Sequence, residues 1–441
     1  MKAHILFLGG TGARIYRALI HCMASGMYHD IVPNHLEICA YLIDPDPENG
    51  DGCRARNVAN TYISIRQKCM LDQKSQPDCP LFSIPLQHKI IQIPNASYRG
   101  SSDSDDDDDI HLFLSALLGD NYNRMKDEMG LYLAMSSLDL SSIEQTLYPF
   151  DVVVVVGGTF GKTGYTGLAK LSNRIKQGLR SSTCRVAMVP VGPYFKNHMP
   201  KDGRVYNDTF FVRHSMLNMF LHEVLNRNNR KINTYNICLS DREVDTLRNA
   251  DGGAGQQNQS HVVELCAAFA IFDLINKPWA EGLELSFDMS GFKSGNTIAS
   301  DDFPYDMRQY LDSILCFSIW SRRFGKQMSF GLKETKQYAS DFQVWLEEMT
   351  RHTIAFKPID FSCDDLSKTF NWYKPIIEFG LFKTDPLDSK NLLKLKEREY
   401  QRLNTYLPEG LPEGYRHLVS EYTACIKAWK KFKDLCKSKT L

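Results

Sequence analysis

The sequence predicts an α/β fold: a mostly parallel β-sheet with helices on both faces, followed by a divergent α+β to helical C-terminal region. Two observations predict it. Through about residue 240, six short apolar runs alternate with helix-like sequence, which is the rhythm of repeated strand–helix–strand units. Two of those runs end in glycine-rich turns that pass straight into helix-like sequence. A buried parallel strand handing over to a helix N-terminus has that appearance.

The expected strands are residues 3–8, 36–43, 90–93, 151–156, 185–191 and 232–239, each a run rich in Val, Ile and Leu. Helical spacing is expected at 15–24, 168–177 and 261–275. An acidic low-complexity tract, Ser101-Ser102-Asp103-Ser104 followed by Asp105 to Asp109, reads as a solvated surface loop, because consecutive like charges repel and lack the turn glycines of a cation loop. A glycine-bearing loop at 249–260 precedes the apolar helix. These marks divide the chain into an α/β domain at 1–260, a linking helix at 261–276 and a C-terminal region at 277–441. In the last of these, Tyr415, Leu418, Tyr422, Cys425, Trp429, Phe432 and Cys436 fall on one helix face, opposite a row of lysines. That face docks on the protein's own core, or the helix offers a surface to a partner chain, a second copy or another protein, or to an anionic polymer.

Bulk properties narrow the function. The 441 residues exceed one domain of roughly 100–200 residues, and 43% apolar with 11% aromatic residues is ample for a packed core. Lys plus Arg and Asp plus Glu are both 52, so no global field argues for nucleic acid or an anionic membrane. The N-terminus enters a strand without a signal-type segment, and no apolar stretch suffices to span a bilayer, so a cytoplasmic location is expected. Twelve cysteines lie scattered with no CxxC and no His/Cys set at ligand spacing. They read as structural thiols, and no metal site is expected.

The chemistry lies in the two turns. The first is Gly9-Gly10-Thr11-Gly12-Ala13-Arg14; the second is Gly157-Gly158-Thr159-Phe160-Gly161-Lys162-Thr163-Gly164. Exposed N–H groups and the positive end of a helix dipole favour phosphate, and glycine permits close approach. As a dinucleotide fingerprint the first turn is incomplete, with Ile15 where the third glycine belongs, although Asp44 closes the second strand. As a P-loop the second turn is one residue short, reading G-x-x-x-G-K-T from Gly157 to Thr163.

Taken together with Asp44 and Asp46, the two turns resemble the Rossmann-like nucleotide-binding domain of the tubulin/FtsZ family. Gly9 to Arg14 correspond to its first phosphate loop, Asp44-Pro45-Asp46 to the second, and Phe160 to Thr166 to its glycine-rich signature loop; the likeness runs through roughly 290 residues. The resemblance implies a GTP or related nucleotide ligand, with Mg held through the phosphates, and a base contact from Asn207, with Asn258 or His261 in comparable stretches. Lys162 and Tyr165 replace small residues of the family loop, and residues 276–281 lack the acidic motif that follows the family's central helix. Slow hydrolysis, or none coupled to polymerisation, is therefore expected. The rival readings are an NAD(P)-dependent Rossmann oxidoreductase and a non-enzymatic scaffold of the same fold.

Lys162 is expected to meet a phosphate. A charge-assisted contact is worth roughly 1.5–3 kcal/mol, so Lys162→Ala is expected to weaken nucleotide binding about tenfold or more, with unfolding of the ligand-free protein little changed. Isothermal titration checks this, and an unchanged Kd would leave the lysine in solvent.

Overall fold

The computed structural model describes residues 1–26, 36–46, 48–70, 81–93, 131, 134–135, 137–159, 161–178, 184–192, 194, 232–238, 253–276, 284–288, 314, 317, 321 and 333–351. Their elements in chain order are β1 (Lys2–Leu8), α1 (Gly9–Ala24), β2 (Glu37–Asp44), α2 (Gly50–Met70), β3 (Leu86–Gln92) and the short α3 (Ser141–Glu144). Then follow β4 (Val152–Gly158), α4 (Lys162–Gly178), β5 (Arg185–Val191), β6 (Asn233–Cys238), α5 (Val262–Asn276), β7 (Glu284–Asp288) and α6 (Lys333–Arg351).

The seven strands form one sheet in the order β3-β2-β1-β4-β5-β6-β7, and every neighbouring pair is parallel. The chain leaves β1 toward β2 and β3, then returns on the other side of β1 as β4. The strand order therefore reverses between β1 and β4, where an open α/β sheet leaves a crevice at its carboxyl end. Register carries the two turns to one height: Leu8 lies opposite Ile43 on one side and Gly157 on the other.

The strands read as continuous apolar runs because both sheet faces are covered. On one face Leu6, Leu8, Val153 and Val155 pack with Leu168, Leu171 and Ile175 of α4 and with Met135 and Leu138. On the other, Ile5, Phe7, Val154 and Val156 pack with α1, α2, α5 and α6. Helix α5 is buried from Val262 through Ile275, with Glu264 and Asp273 among its buried residues. Helix α6 turns Tyr338, Phe342, Trp345, Leu346 and Met349 inward at three- and four-residue spacing.

The structure departs from the sequence reading in four places, the first being β3, which begins at Leu86 rather than near Ile90. The helices begin earlier than expected, α1 at Gly9 and α4 at Lys162, so Gly9, Gly10 and Gly12 and, in α4, Gly164 and Gly167 stand within the first helical turns, while Gly157 and Gly158 end β4. Helix α2 has no counterpart in the reading. Beyond residue 276, β7 continues the same sheet and α6 shares its core. The acidic tract at 101–109, Asn207, Phe160, the side chain of Lys162 and the amphipathic stretch at 415–436 lie outside the described residues. Among the described residues, no helix is long and apolar enough to cross a membrane.

Gly12 faces the sheet, not the crevice: a Cβ there would sit 2.7 Å from the backbone carbon of Phe7. Alanine gains about 1 kcal/mol of helix propensity over glycine, but the obstacle is backbone, which cannot swing aside. Pushing α1 off β1 costs about 1–3 kcal/mol, so Gly12→Ala is expected to lower the urea midpoint and Gly12→Val to lower it further. An unchanged midpoint in both would contradict this packing.

Candidate functional site

The two glycine turns meet at the carboxyl ends of β1 and β4. Gly9 has φ of +65°, a conformation suited to glycine, which lets the chain turn from strand to helix with no intervening loop. A Cβ on Gly9 would lie 3.2 Å from the Cβ of Thr163, and one on Gly157 3.1 Å from the Cα of Gly164. A Cβ on Gly164 would overlap the carbonyl oxygen of Gly158, so α4 starts directly against the end of β4. The N-termini of α1 and α4 thus converge from opposite faces of the sheet. Neither helix carries an acidic residue in its first turn, and no side chain caps α1. Their first-turn N–H groups have no intrahelical acceptor.

The residues expected to line this crevice divide into two groups. Gly9, Gly10, Thr11, Gly157, Gly158, Thr163 and Gly164 stand at the ends of β1 and β4 and the starts of α1 and α4, and Gly161 has open space where a Cβ would stand. Four others turn inward. Gly12 packs on Phe7, and Ala13 is in the core. Thr159 is fastened to β5, its N–H and Oγ1 both donating to the Val191 carbonyl at 2.8 and 3.2 Å. Arg14, expected on the phosphate side, points the other way.

Arg14 is the centre of a buried ion cluster. Its Nη1 donates to Asp51 Oδ2 at 2.5 Å, its Nε to Glu264 Oε1 at 2.7 Å, and its Nη2 to Thr11 Oγ1 and Tyr194 Oη at 3.2 and 3.0 Å. Burial works against its charge, but the surrounding oxygens outweigh that and hold the guanidinium protonated. Asp51 also pairs with Arg54 Nη2 at 2.9 Å. Glu348 of α6 reaches Arg17 at 3.0 Å and Arg54 at 3.2 Å. Burial raises the Glu264 carboxyl, opposed by Arg14.

The loop at 253–258 closes the β2 side of the crevice. Gly253 N–H donates to Asp46 Oδ2 at 2.8 Å, and Asn49 Nδ2 to Gln256 Oε1 at 2.8 Å. Asn258 donates its N–H and Nδ2 to the two oxygens of Asp51 at 2.9 and 3.1 Å. That commits Asn258 to the fold rather than to a base. His261 caps α5, its Nδ1 accepting from Val263 N–H at 3.2 Å while Glu264 Oε2 accepts from His261 N–H at 3.1 Å. Gln256 is the residue that sequence reasoning missed, with Nε2 2.8 Å from the Cβ position of Gly10. Only its place in a glycine-bearing loop marked it in the sequence.

Asp44 ends β2, and its Oδ1 accepts from Asp46 N–H at 2.9 Å. Burial pushes its carboxyl up to about 6, with the charges of Asp46 and Asp51 adding to the rise. Among the described residues no group of three metal-ligating side chains gathers. No family model, curated protein or solved structure matches the chain.

Asp44 makes stability depend on pH. Between its ordinary 3.8 and about 6, the unfolded chain releases a proton that the folded protein keeps, so stability falls as pH rises through that window. The full difference is about 3 kcal/mol, which partial exposure roughly halves. Asp44→Asn is therefore expected to stabilise the ligand-free protein by about 1–2 kcal/mol above pH 6.5 and to match it below pH 4. Urea unfolding at pH 3.8 and 7.5 decides it; equal midpoints at pH 7.5 would count against a buried carboxylate.

Proposed function

We propose that the chain binds a nucleotide, GTP or a related nucleoside phosphate, in the crevice between the ends of β1 and β4, in a manner similar to the tubulin/FtsZ family. The observation that carries this reading is the contact between the two glycine turns, Gly9 against Thr163. One helix N-terminus is common; two that meet at a strand-order reversal give a phosphate chain donors on both sides. Gly9 to Thr11 serve one end of that chain and the backbone of Gly161 to Gly164 the other, with Mg held through the phosphates. Hydrolysis is slow and independent of filament formation. The amphipathic stretch at 415–436 supplies the surface for a second copy or another protein.

A second reading, an NAD(P) site, draws on Asp44, which ends β2 where a dinucleotide's ribose is held. Against it, the 253–258 loop is bonded to Asp46 and Asn49 beside that position, so an adenosine lying over β2 would have to displace it. No such loop covers the β4 side among the described residues.

Titrating the purified protein with GTP, ATP, NAD and NADP separates the readings. Binding of a nucleoside triphosphate, with phosphate release that scales linearly with protein concentration, is the expected outcome. NAD(P) binding alone would replace the proposal with the oxidoreductase, and no binding of any of the four would leave the scaffold.

A further inference from the structure

Beside its contacts with Phe82, Phe317 and Ser321, helix α6 has two attachments that involve charged or titratable groups. One is ionic: Glu348 sits against Arg17 and Arg54 at 3.0 and 3.2 Å and accepts from Ser260 Oγ at 3.1 Å. The other is an aromatic cage around a histidine. His21, in the last turns of α1, is wholly buried, with Tyr338 and Phe342 edge-on at 5.4 Å each and Trp345 at 4.7 Å between ring centroids. All three aromatic residues come from α6. We propose that His21 makes the docking of α6 acid-sensitive, holding the helix while the imidazole is neutral and releasing it when the imidazole is protonated.

The hydrogen-bond inventory of the cage supports this. His21 Nδ1 lies 3.0 Å from Tyr338 Oη, and Nε2 has no partner. Tyr338 Oη itself donates to the Ile20 carbonyl at 3.3 Å, which leaves its oxygen to accept from Nδ1–H and Nε2 as a bare lone pair. In the alternative tautomer Nε2 carries the hydrogen instead. Either way an imidazolium would hold an N–H at Nε2 with no acceptor, inside apolar walls. Once α6 leaves, water solvates that group and its ordinary affinity for protons returns.

The charged and titratable neighbours act in known directions. Burial holds the imidazole well below its ordinary 6.5, and Arg17, one turn away on α1, adds to the depression. Arg17 and Arg54 of α2 are paired with Glu348. Tyr338 on α6, Tyr62 on α2 and Cys22 on α1 are pushed up by burial and stay neutral in acid. Asp341 on α6 opposes His21: burial raises its carboxyl, so acid strengthens docking through Asp341, in a window that opens only below its raised value. His21 thus weakens docking as pH falls from 6.5, against the opposing contribution of Asp341. The undocked state then binds one more proton than the docked state, which shifts the equilibrium by up to about tenfold per pH unit.

Hydrogen exchange of the full-length protein, read by mass spectrometry from pH 7.5 to 5 and corrected for intrinsic exchange rates, tests the proposal. Protection of residues 333–351 is expected to fall by up to about tenfold per pH unit below 6.5, while β4 stays protected. His21→Gln and His21→Phe are expected to flatten that fall, and Asp341→Asn to keep or steepen it. Protection of 333–351 that does not change with pH in the unsubstituted protein would overturn the proposal. So would a fall shared by β4, which marks global unfolding, or a slope that persists in both His21 variants.

Discussion

Three arginines and three carboxylates on one face of the sheet, four of them buried and Arg54 and Glu348 half-buried, are the constraint that the helices on that face answer to. Arg14 and Arg17 come from α1, Asp51 and Arg54 from α2, Glu264 from α5 and Glu348 from α6. Each charge would be costly to bury alone, and removing one partner of such a pair typically costs about 3–5 kcal/mol, because the other is left uncompensated. Four helices must therefore sit at mutually consistent positions. The apolar contacts between them are tolerant of small shifts, but bonds of 2.5–3.2 Å among these groups are not. Apolar packing drives the helices onto the sheet; the ion cluster fixes where they stop.

Much of the fold was legible in the sequence because strand signals are local. A fully covered parallel strand must be apolar throughout, and Val152 to Val156 or Arg185–Val191 have few other readings. Helix starts were misplaced because Gly9 to Gly12 and the glycines at 161, 164 and 167 have poor helix propensity. First-turn residues lack intrahelical N–H bonds in any case, and close approach to Phe7 and Gly158 favours glycine there. Helix α2 is polar for much of its length, and its apolar stripe, Ala55, Val58, Ala59, Tyr62 and Ile65, is narrow and includes two alanines. Helix α6 shares the core on the α1 side of the sheet although some 180 residues separate it from β4.

The candidate site was legible only in outline. Both turns were recognisable as strand-to-helix passages, and their meeting follows from a parallel sheet with β1 beside β4. What each side chain does was not. Arg14 reads in sequence as a cation next to a phosphate loop, but its partners Asp51 and Glu264 lie 37 and 250 residues away, and no local pattern announces a pairing at that distance. Asn258 and His261 were open to either a ligand or a structural role, and the bonds of Asn258 to Asp51 and of His261 to the start of α5 commit those atoms to the fold.

The ion cluster and the crevice are also one electrostatic problem. Asp51 Oδ2 lies 3.4 Å from the Cβ position of Gly10, so a carboxylate stands beside the very helix turn where a phosphate would bind. Left bare, it would repel that ligand and cancel the positive end of α1. Arg14 and Arg54 both pair with it, and Arg14 extends to Thr11 in the first turn itself. Arg14 thus serves the proposed site from beneath: turned away from the ligand, it neutralises the anion that would compete with it. Helix α1, about 24 Å long for its 16 residues, carries this arrangement at one end and His21 near the other. It is buried from Thr11 to Ala24, and a close-packed helix moves as a unit rather than by yielding locally. The proposed site and the docking face of α6 therefore share one close-packed helix, with Arg14 and Arg17 between them.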